Sequence, residues 1–319
     1  MRKVYFNGEF IPENEAKVSI FDSALMFGDM VFEMTRSFNK KQFKLKEHID
    51  RLYSGIRILR IPLKMSPAEL EMACYETIEE NEKYFDDGDE HRLMIDVSRG
   101  LLGIYEGIDG ISKGPNIIIA DFPLKWTVSS MGTLFDMGIN AVIPSQRVVS
   151  SEFIDPKIKN RSRLFYLMAN IEVSRHKGDN NWALMLDADG FIAEGTGDNF
   201  FMIKDNILYT PEPRNILRGI SRDYVINTIC KQLNIKVLEK NIEPYDVYNA
   251  DEAFITGTPF CMLPVTSLNG LKIGSGKVGK IFKLLLNKWS LNVDLDIEKQ
   301  IKSWGSEIQT SGLTPYQFK

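Results

Sequence analysis

Phe191-Ile192-Ala193-Glu194-Gly195-Thr196-Gly197-Asp198-Asn199-Phe200-Phe201 sets one carboxylate at the end of an apolar strand, beside a glycine turn. On its N-terminal side, Ala183-Leu184-Met185-Leu186-Asp187 and Asp189-Gly190-Phe191-Ile192-Ala193-Glu194 read as two strands across a turn. On its C-terminal side, Asn199–Ile203 and Ile207–Thr210 read as a second pair, with Lys204-Asp205-Asn206 between them. Strand pairs mixed with helices, without regular strand–helix–strand crossovers, point to an α+β or mixed α/β chain.

The mixture continues outward. Val4-Tyr5-Phe6, Asn7-Gly8 and Glu9-Phe10-Ile11-Pro12 spell a hairpin on the favoured Asn-Gly turn. Val31 to Phe38 alternates like a strand. Ile49, Leu52, Tyr53, Ile56 and Leu59 give Lys46–Ile61 a helical period that Pro62 closes. Ser66-Pro67-Ala68-Glu69 caps a helix running towards Asn81. Arg92–Val97 and Asn116–Ala120 are strands, the second stopped by Pro123. Further on come a strand at Ile139–Ile143, a long helix from about Arg163 to His176, a helix at Ser221–Leu233, a strand at Ala253–Thr256 and a helix at Lys280–Trp289. The pattern changes across Pro123–Gly132, which sets the expected division: a domain at 1–123, an interdomain loop at 124–132, a second domain at 133–290 and a C-terminal extension at 291–319.

Composition narrows the function. The chain has 319 residues, 44% hydrophobic and 26% charged, which suits a globular protein of about two domains. Thirty-nine basic against 43 acidic residues leave a net charge of −4, so nucleic-acid binding through bulk positive charge is excluded. Cys74, Cys230 and Cys261 show no CxxC spacing, and His48, His91 and His176 are dispersed, so no metal site is expected. Three separated thiols suit a reducing, cytoplasmic setting. No apolar run approaches the roughly 18 residues of a membrane helix, and the start lacks the apolar stretch of a signal peptide. Phosphate-loop, Rossmann, nucleophile-elbow and HExxH motifs are missing as well.

Four segments carry candidate chemistry. Glu194 is either a water-facing hairpin glutamate or a buried carboxylate held for a cation; a protonated pyridine nitrogen would suit it, because that pairing keeps the ring an electron sink. Asp155-Pro156-Lys157-Ile158-Lys159-Asn160-Arg161-Ser162-Arg163 is either a solvated loop or the seat of a nucleophilic lysine, and spacing does not choose between Lys157 and Lys159. Leu217-Arg218-Gly219-Ile220-Ser221-Arg222-Asp223 enters a helix, and Thr256-Gly257-Thr258-Pro259 ends a strand. Both offer amide and hydroxyl donors, for ordinary capping or for an anion such as a cofactor phosphate. Arg36, Arg51, Arg92 and Arg99 are surface residues unless their forks turn inward to a phosphate or carboxylate.

Taken in order, Phe27-Gly28-Asp29-x-Val31-Phe32-Glu33, Glu47-His48-Ile49-Asp50-Arg51-Leu52, Ser98-Arg99-Gly100, Lys159, Glu194-Gly195-x-x-x-Asn199-Phe200, Gly219-Ile220-Ser221-Arg222-Asp223 and Thr256-Gly257-Thr258 resemble the fold-type IV pyridoxal-phosphate enzymes. That family includes branched-chain and D-amino-acid aminotransferases, amine transaminases and aminodeoxychorismate lyase. The resemblance runs from about Tyr5 to Trp289. It implies a small N-terminal α/β domain, a larger C-terminal pseudobarrel domain and a homodimer. It implies pyridoxal 5'-phosphate as cofactor and an amino group moved between an amino acid or amine and a 2-oxo acid. A lyase, or a non-catalytic protein on the same fold, is the alternative.

By the same resemblance Lys159 is the Schiff-base lysine, Glu194 the partner of the ring nitrogen and Arg51 the phosphate-binding arginine. Gly219, Ile220, Ser221 and Thr258 complete the phosphate cup. Arg92 and Arg99 stand where relatives bind a substrate carboxylate or flank the cofactor. Phe27, Phe32 and Trp126, with Met34 and Met131, supply apolar pocket surface or pack the core; Thr258 and Pro259 join the substrate wall. The branched-chain pattern after the lysine would give Gly-Gly-Asn-Tyr. This chain has Asn160-Arg161-Ser162-Arg163-Leu164, without the tyrosine at Leu164, and Arg163-Leu164 is similar to the lyase pattern. Arg161 and Arg163 face solvent or an acidic group.

Overall fold

The computed structural model describes residues 1–109, 113–178 and 180–307. The chain forms two compact units, Met1–Leu124 with Ile158–Arg163, and Lys125–Lys157 with Leu164–Lys319.

In the first unit, strands β1 (Lys3–Phe6) and β2 (Glu9–Pro12) form the expected hairpin, with Asn7 at φ 54° and Gly8 at φ 101° as a two-residue turn. Helix α1 (Ser23–Phe27) leads into β3 (Met30–Met34). The alternation seen as far as Phe38 is broken after Met34. A second hairpin, β4 (Ser37–Phe38) and β5 (Lys41–Gln42), turns through Asn39 and Lys40 at positive φ. Helices α2 (Leu45–Leu59) and α3 (Pro67–Asn81) follow, the second held by a complete Ser66/Glu69 capping box. Strands β6 (His91–Ser98) and β7 (Ile117–Pro123) complete an antiparallel sheet of order β2-β1-β7-β6-β3. Leu45, Ile49, Leu52 and Ile56 of α2 bury with Val31, Leu93, Ile95, Val97 and Ile119 of the sheet. Residues 158–163 return to this unit: Ile158 joins the same core, and Asn160 bridges Val31.

The second unit holds β8 (Ile139–Val142), β9 (Asn181–Leu186), β10 (Ile192–Gly195), β11 (Asn199–Lys204), β12 (Ile207–Thr210), β13 (Val237–Glu239), β14 (Glu252–Gly257), β15 (Cys261–Leu268) and β16 (Leu271–Lys272). Six of them run β10-β9-β8-β15-β14-β11, and β10 pairs back to β11, which closes a barrel. Closure rests on one register pair, Glu194 opposite Asn199. Phe201 and Phe254 stack at 4.8 Å in the core, both fully buried. The β11–β12 turn shortens to Asp205-Asn206, both at positive φ, because Lys204 pairs with Ile207.

The helices here are α4 (Lys125–Val128), α5 (Leu134–Met137), α6 (Leu164–Val173), α7 (Ile220–Tyr224), α8 (Cys230–Gln232), α9 (Pro244–Tyr248), α10 (Lys280–Asn292) and α11 (Ile297–Glu307). A π-helical turn, Val225–Ile229, joins α7 to α8, so the expected helix at Ser221–Leu233 is wound in three pieces. α6 is shorter than expected: after Val173 the chain goes over to tighter turns, with the Arg175 N–H donating to Glu172 O and the His176 N–H to Val173 O, each at 3.1 Å. The stretch 124–132 is not a loop. It carries α4 and a 3-10 turn at Ser129–Met131, where apolar contact of the buried Val128 and Met131 offsets the cost of ordering so short a helix. The expected extension at 291–319 contains the end of α10 and all of α11; its residues 308–319 lie outside the described ones. Among the described residues no helix is long and apolar enough to cross a membrane.

Candidate active site

In the first unit the chemistry gathers on Phe32. Its N–H donates to the Lys159 carbonyl at 2.9 Å, which stitches the lysine's backbone onto the edge of β3. Lys159 Nζ lies 4.7 Å from the Phe32 ring centroid; the guanidinium carbons of Arg161 and Arg163 lie 3.7 and 5.5 Å from it. Arg161 also donates to Asp96 Oδ1 from Nε at 3.1 Å and Nη2 at 2.9 Å. Burial pushes the Asp96 carboxyl up, and Arg161 offsets only part of that. Arg161 therefore meets an acidic group of its own chain.

Next to Phe32, Glu33 is fully buried. It accepts from Arg51 Nε at 2.6 Å and Nη2 at 2.8 Å, and pairs with His48 Nδ1 at 2.7 Å. Burial alone would raise this carboxyl, but Arg51 and then His48 more than reverse it and hold Glu33 well below the usual carboxylate range. Burial pushes the His48 imidazole down despite Glu33. Because the ionised Glu33 carboxylate can only accept, His48 Nδ1 is the donor of this pair. The two-point clamp fixes the plane of the Arg51 fork.

The other first-unit candidates divide. Arg92 is buried, with Nη2 3.5 Å from Met34 Sδ and its guanidinium 5.9 Å from the Phe122 centroid. Arg99 is engaged at both ends of its fork. It pairs with Asp29 and donates to Arg60 O at 2.9 Å and Leu59 O at 2.7 Å, so it terminates α2 and does not present an open fork to a carboxylate. Phe27, at the end of α1, is 64% exposed.

In the second unit Glu194 is buried at the barrel's closing pair. Oε1 accepts from Tyr166 Oη at 2.8 Å; Oε2 accepts from the Leu217 N–H at 2.9 Å and from Asn199 Nδ2 at 3.1 Å. The water-facing reading of this glutamate is therefore overturned. Gly219 is required where it stands, because a Cβ there would collide with the Asn199 side-chain oxygen. As the N-cap of α7 it brings no capping side chain, so the first-turn amides of Ile220 and Ser221 get no acceptor from it. The Thr256 hydroxyl is buried and has no hydrogen-bond partner among the described residues. Thr258 and Pro259 are half-buried, and Trp126 is 52% exposed. Lys157, the rival lysine, is tied to Asp155 Oδ1 at 2.8 Å and Arg214 O at 3.1 Å.

Sequence reasoning missed Tyr166, Thr256 and the part Asn199 plays. Asn199 and Thr256 stood inside quoted motifs. Tyr166 gave no signal, because the tyrosine was sought at Leu164, which is 69% exposed. Among the described residues no group of three or more His, Cys, Asp or Glu is placed to hold a metal ion.

Pyridoxal phosphate needs an amine for its aldehyde, an anion for its ring nitrogen and several donors for its phosphate. The described residues include an amine fixed by its backbone to a strand edge, a buried carboxylate held by three donors, a helix start without a capping side chain and an unsatisfied buried hydroxyl. The donor chemistry fits the cofactor.

The fold and these groups define an α/β enzyme with a closed barrel in its second unit. The profile of the amino-transferase class IV family matches residues 30–268, and the chain belongs to that family. It is 35% identical over 300 residues to a Methanocaldococcus jannaschii protein described provisionally as a branched-chain-amino-acid aminotransferase, covering 91% of this chain and 99% of that one. The crystal structure of the Escherichia coli branched-chain amino acid aminotransferase superposes with a TM-score of 0.80 at 31% identity, covering 89% and 92% of the two chains. The branched-chain aminotransferase of the thermophilic archaeon Thermoproteus uzoniensis, solved with norvaline, does so at 0.79 and 27% identity, covering 95% and 97%. The chain is a pyridoxal-phosphate-dependent aminotransferase acting on amino acids and 2-oxo acids.

Proposed function

We propose that this aminotransferase takes branched-chain L-amino acids as donors, with a 2-oxo acid as acceptor. The observation that carries the reading is the Lys159 amine 4.7 Å from the Phe32 ring, because a reacting amine beside apolar surface suits an aliphatic side chain. The full-length match to relatives named for that activity supports it.

Bound pyridoxal phosphate supplies an aldehyde that takes up the amino group and a ring that withdraws electrons from the reacting carbon. Lys159 Nζ would be the amine that holds the cofactor's aldehyde and the base placed to move the substrate's α-proton. Glu194 holds the proton on the ring nitrogen. Arg51, oriented by Glu33, and the Gly219, Ile220, Ser221 and Thr258 donors bind the phosphate, with Thr256 added to the set. Phe32 and Arg92 line the substrate side, with Pro259 beside Thr258.

The enzyme acts as a homodimer in this reading. Leu164, Leu167 and Met168 leave α6 with an exposed apolar face, as a second copy would require. The buried thiols of Cys74, Cys230 and Cys261, none of them in a disulfide among the described residues, support a reducing, cytoplasmic setting.

The test is steady-state kinetics with L-leucine, L-isoleucine, L-valine, D-alanine and a chiral amine against 2-oxoglutarate. The highest kcat/KM is expected for the three branched-chain donors. Preference for the D-amino acid or the amine would overturn the reading, and so would pyruvate release from a chorismate-type amine without acceptor. Sedimentation of the holoenzyme tests the dimer.

A further inference from the structure

We propose that Tyr166 is a positioning residue for the reaction, its phenol holding the buried carboxylate of Glu194 for the cofactor's ring nitrogen. This rests on the reading of Glu194 given above.

An ionised carboxylate offers two acceptor positions on each oxygen. Oε2 takes the Leu217 N–H at 2.9 Å and Asn199 Nδ2 at 3.1 Å, both from the barrel's own neighbourhood. Oε1 accepts from Tyr166 Oη at 2.8 Å, a donor that comes from α6. The phenol's donation spreads the charge on Oε1 and weakens its pull on a proton, which favours a proton that stays on the ring nitrogen.

The phenol is held for this. The Tyr166 ring packs on Phe165 with centroids 4.2 Å apart. One helical turn on, Asn170 Oδ1 accepts from Thr196 Oγ1 at 3.2 Å, so α6 is fastened to the β10–β11 turn at two points. Only one of these fastenings touches the carboxylate. This separates positioning from mere docking of the helix.

The experiment compares three holoenzyme variants, Tyr166→Phe, Thr196→Val and Glu194→Gln. The readouts are kcat and KM, the pH profile of kcat/KM, the pH midpoint of the bound cofactor's visible absorption and the melting temperature. With Tyr166→Phe the carboxylate protonates more readily, so the acid limb of kcat/KM moves up by about one pH unit and the absorption midpoint shifts. Its kcat falls about tenfold while KM stays within about twofold. Thr196→Val lowers the melting temperature and leaves both pH readouts in place. Equal shifts in the two variants would reduce Tyr166 to a docking contact and overturn the proposal. Normal profiles for Tyr166→Phe, with Glu194→Gln altered, would overturn it while leaving the Glu194 reading standing. An unaltered Glu194→Gln would remove that reading and the proposal with it.

Discussion

Glu33→Gln is the perturbation that the first unit should feel most sharply. Three hydrogen bonds converge on this fully buried carboxylate, from Arg51 Nε, Arg51 Nη2 and His48. Glutamine keeps the shape but only one acceptor oxygen, so one donor of the clamp faces an amide N–H₂. Removing one partner of a buried pair costs about 3–5 kcal/mol; the retained bond brings the expected loss at pH 7 to about 2–3 kcal/mol. All four tryptophans, Trp126, Trp182, Trp289 and Trp304, lie in the second unit, so fluorescence is the wrong probe. Hydrogen exchange of peptides covering β3 and α2, read by mass spectrometry across a urea series, reports the right unit. The pH dependence carries the sign. Glu33 titrates lower folded than unfolded, so its contribution is complete above the ordinary carboxylate value and drains away as pH falls through the folded one. The gap between wild type and variant should stay level from pH 8 to 5, then narrow by up to about 1.4 kcal/mol per unit below about pH 4.3. A gap unchanged at pH 3, or no gap at pH 7, would refute the electrostatic account of the clamp.

Lys159→Ala should keep the fold, lose the visible absorption band of the bound cofactor and drop turnover about 10³-fold or more; full turnover would discard the lysine assignment. Thr256→Val removes a hydroxyl that has no partner among the described residues, so the melting temperature should hold or rise while the dissociation constant for pyridoxal phosphate rises about tenfold. An unchanged dissociation constant would take Thr256 out of the phosphate set. Gly279→Ala drives a methyl into the Glu252 carboxylate, which accepts from Ile281 N at 3.0 Å and Phe282 N at 2.9 Å at the start of α10. Thermal unfolding should show a loss of about 1–2 kcal/mol, and a neutral result would mean the cap re-forms with the methyl in place.

Local chemistry was legible wherever a residue type forces a conformation. Asn7-Gly8 demanded a two-residue turn, the period of Ile49, Leu52 and Ile56 demanded a buried helix face, and Ser66 with Glu69 demanded a helix start. β15 was hidden because Pro264 reads as a breaker. It is tolerated there because pairing with β8 begins only at Val265, so the missing N–H is not called upon on that side. The interdomain loop failed for a different reason. Helix in so short a stretch as 124–132 comes from burying Val128 and Met131, which no local period announces.

The sequence by itself determined the ordered set of motifs, and with it the family and the cofactor, because that resemblance depends on residue types in a fixed order along the chain. Only the tertiary structure decided that Lys157 is held by Asp155 while Lys159 is stitched to Phe32, that Arg99 closes a helix, and that Tyr166 reaches Glu194. Those are meetings between residues from about 28 to well over 100 positions apart, or choices between neighbours that only a distant partner can make. A chain's local preferences carry no record of which distant donor will find a given oxygen; for Tyr166 it is the packing of α6, through Ala169 and Val173, on the barrel strands that brings the phenol to Glu194.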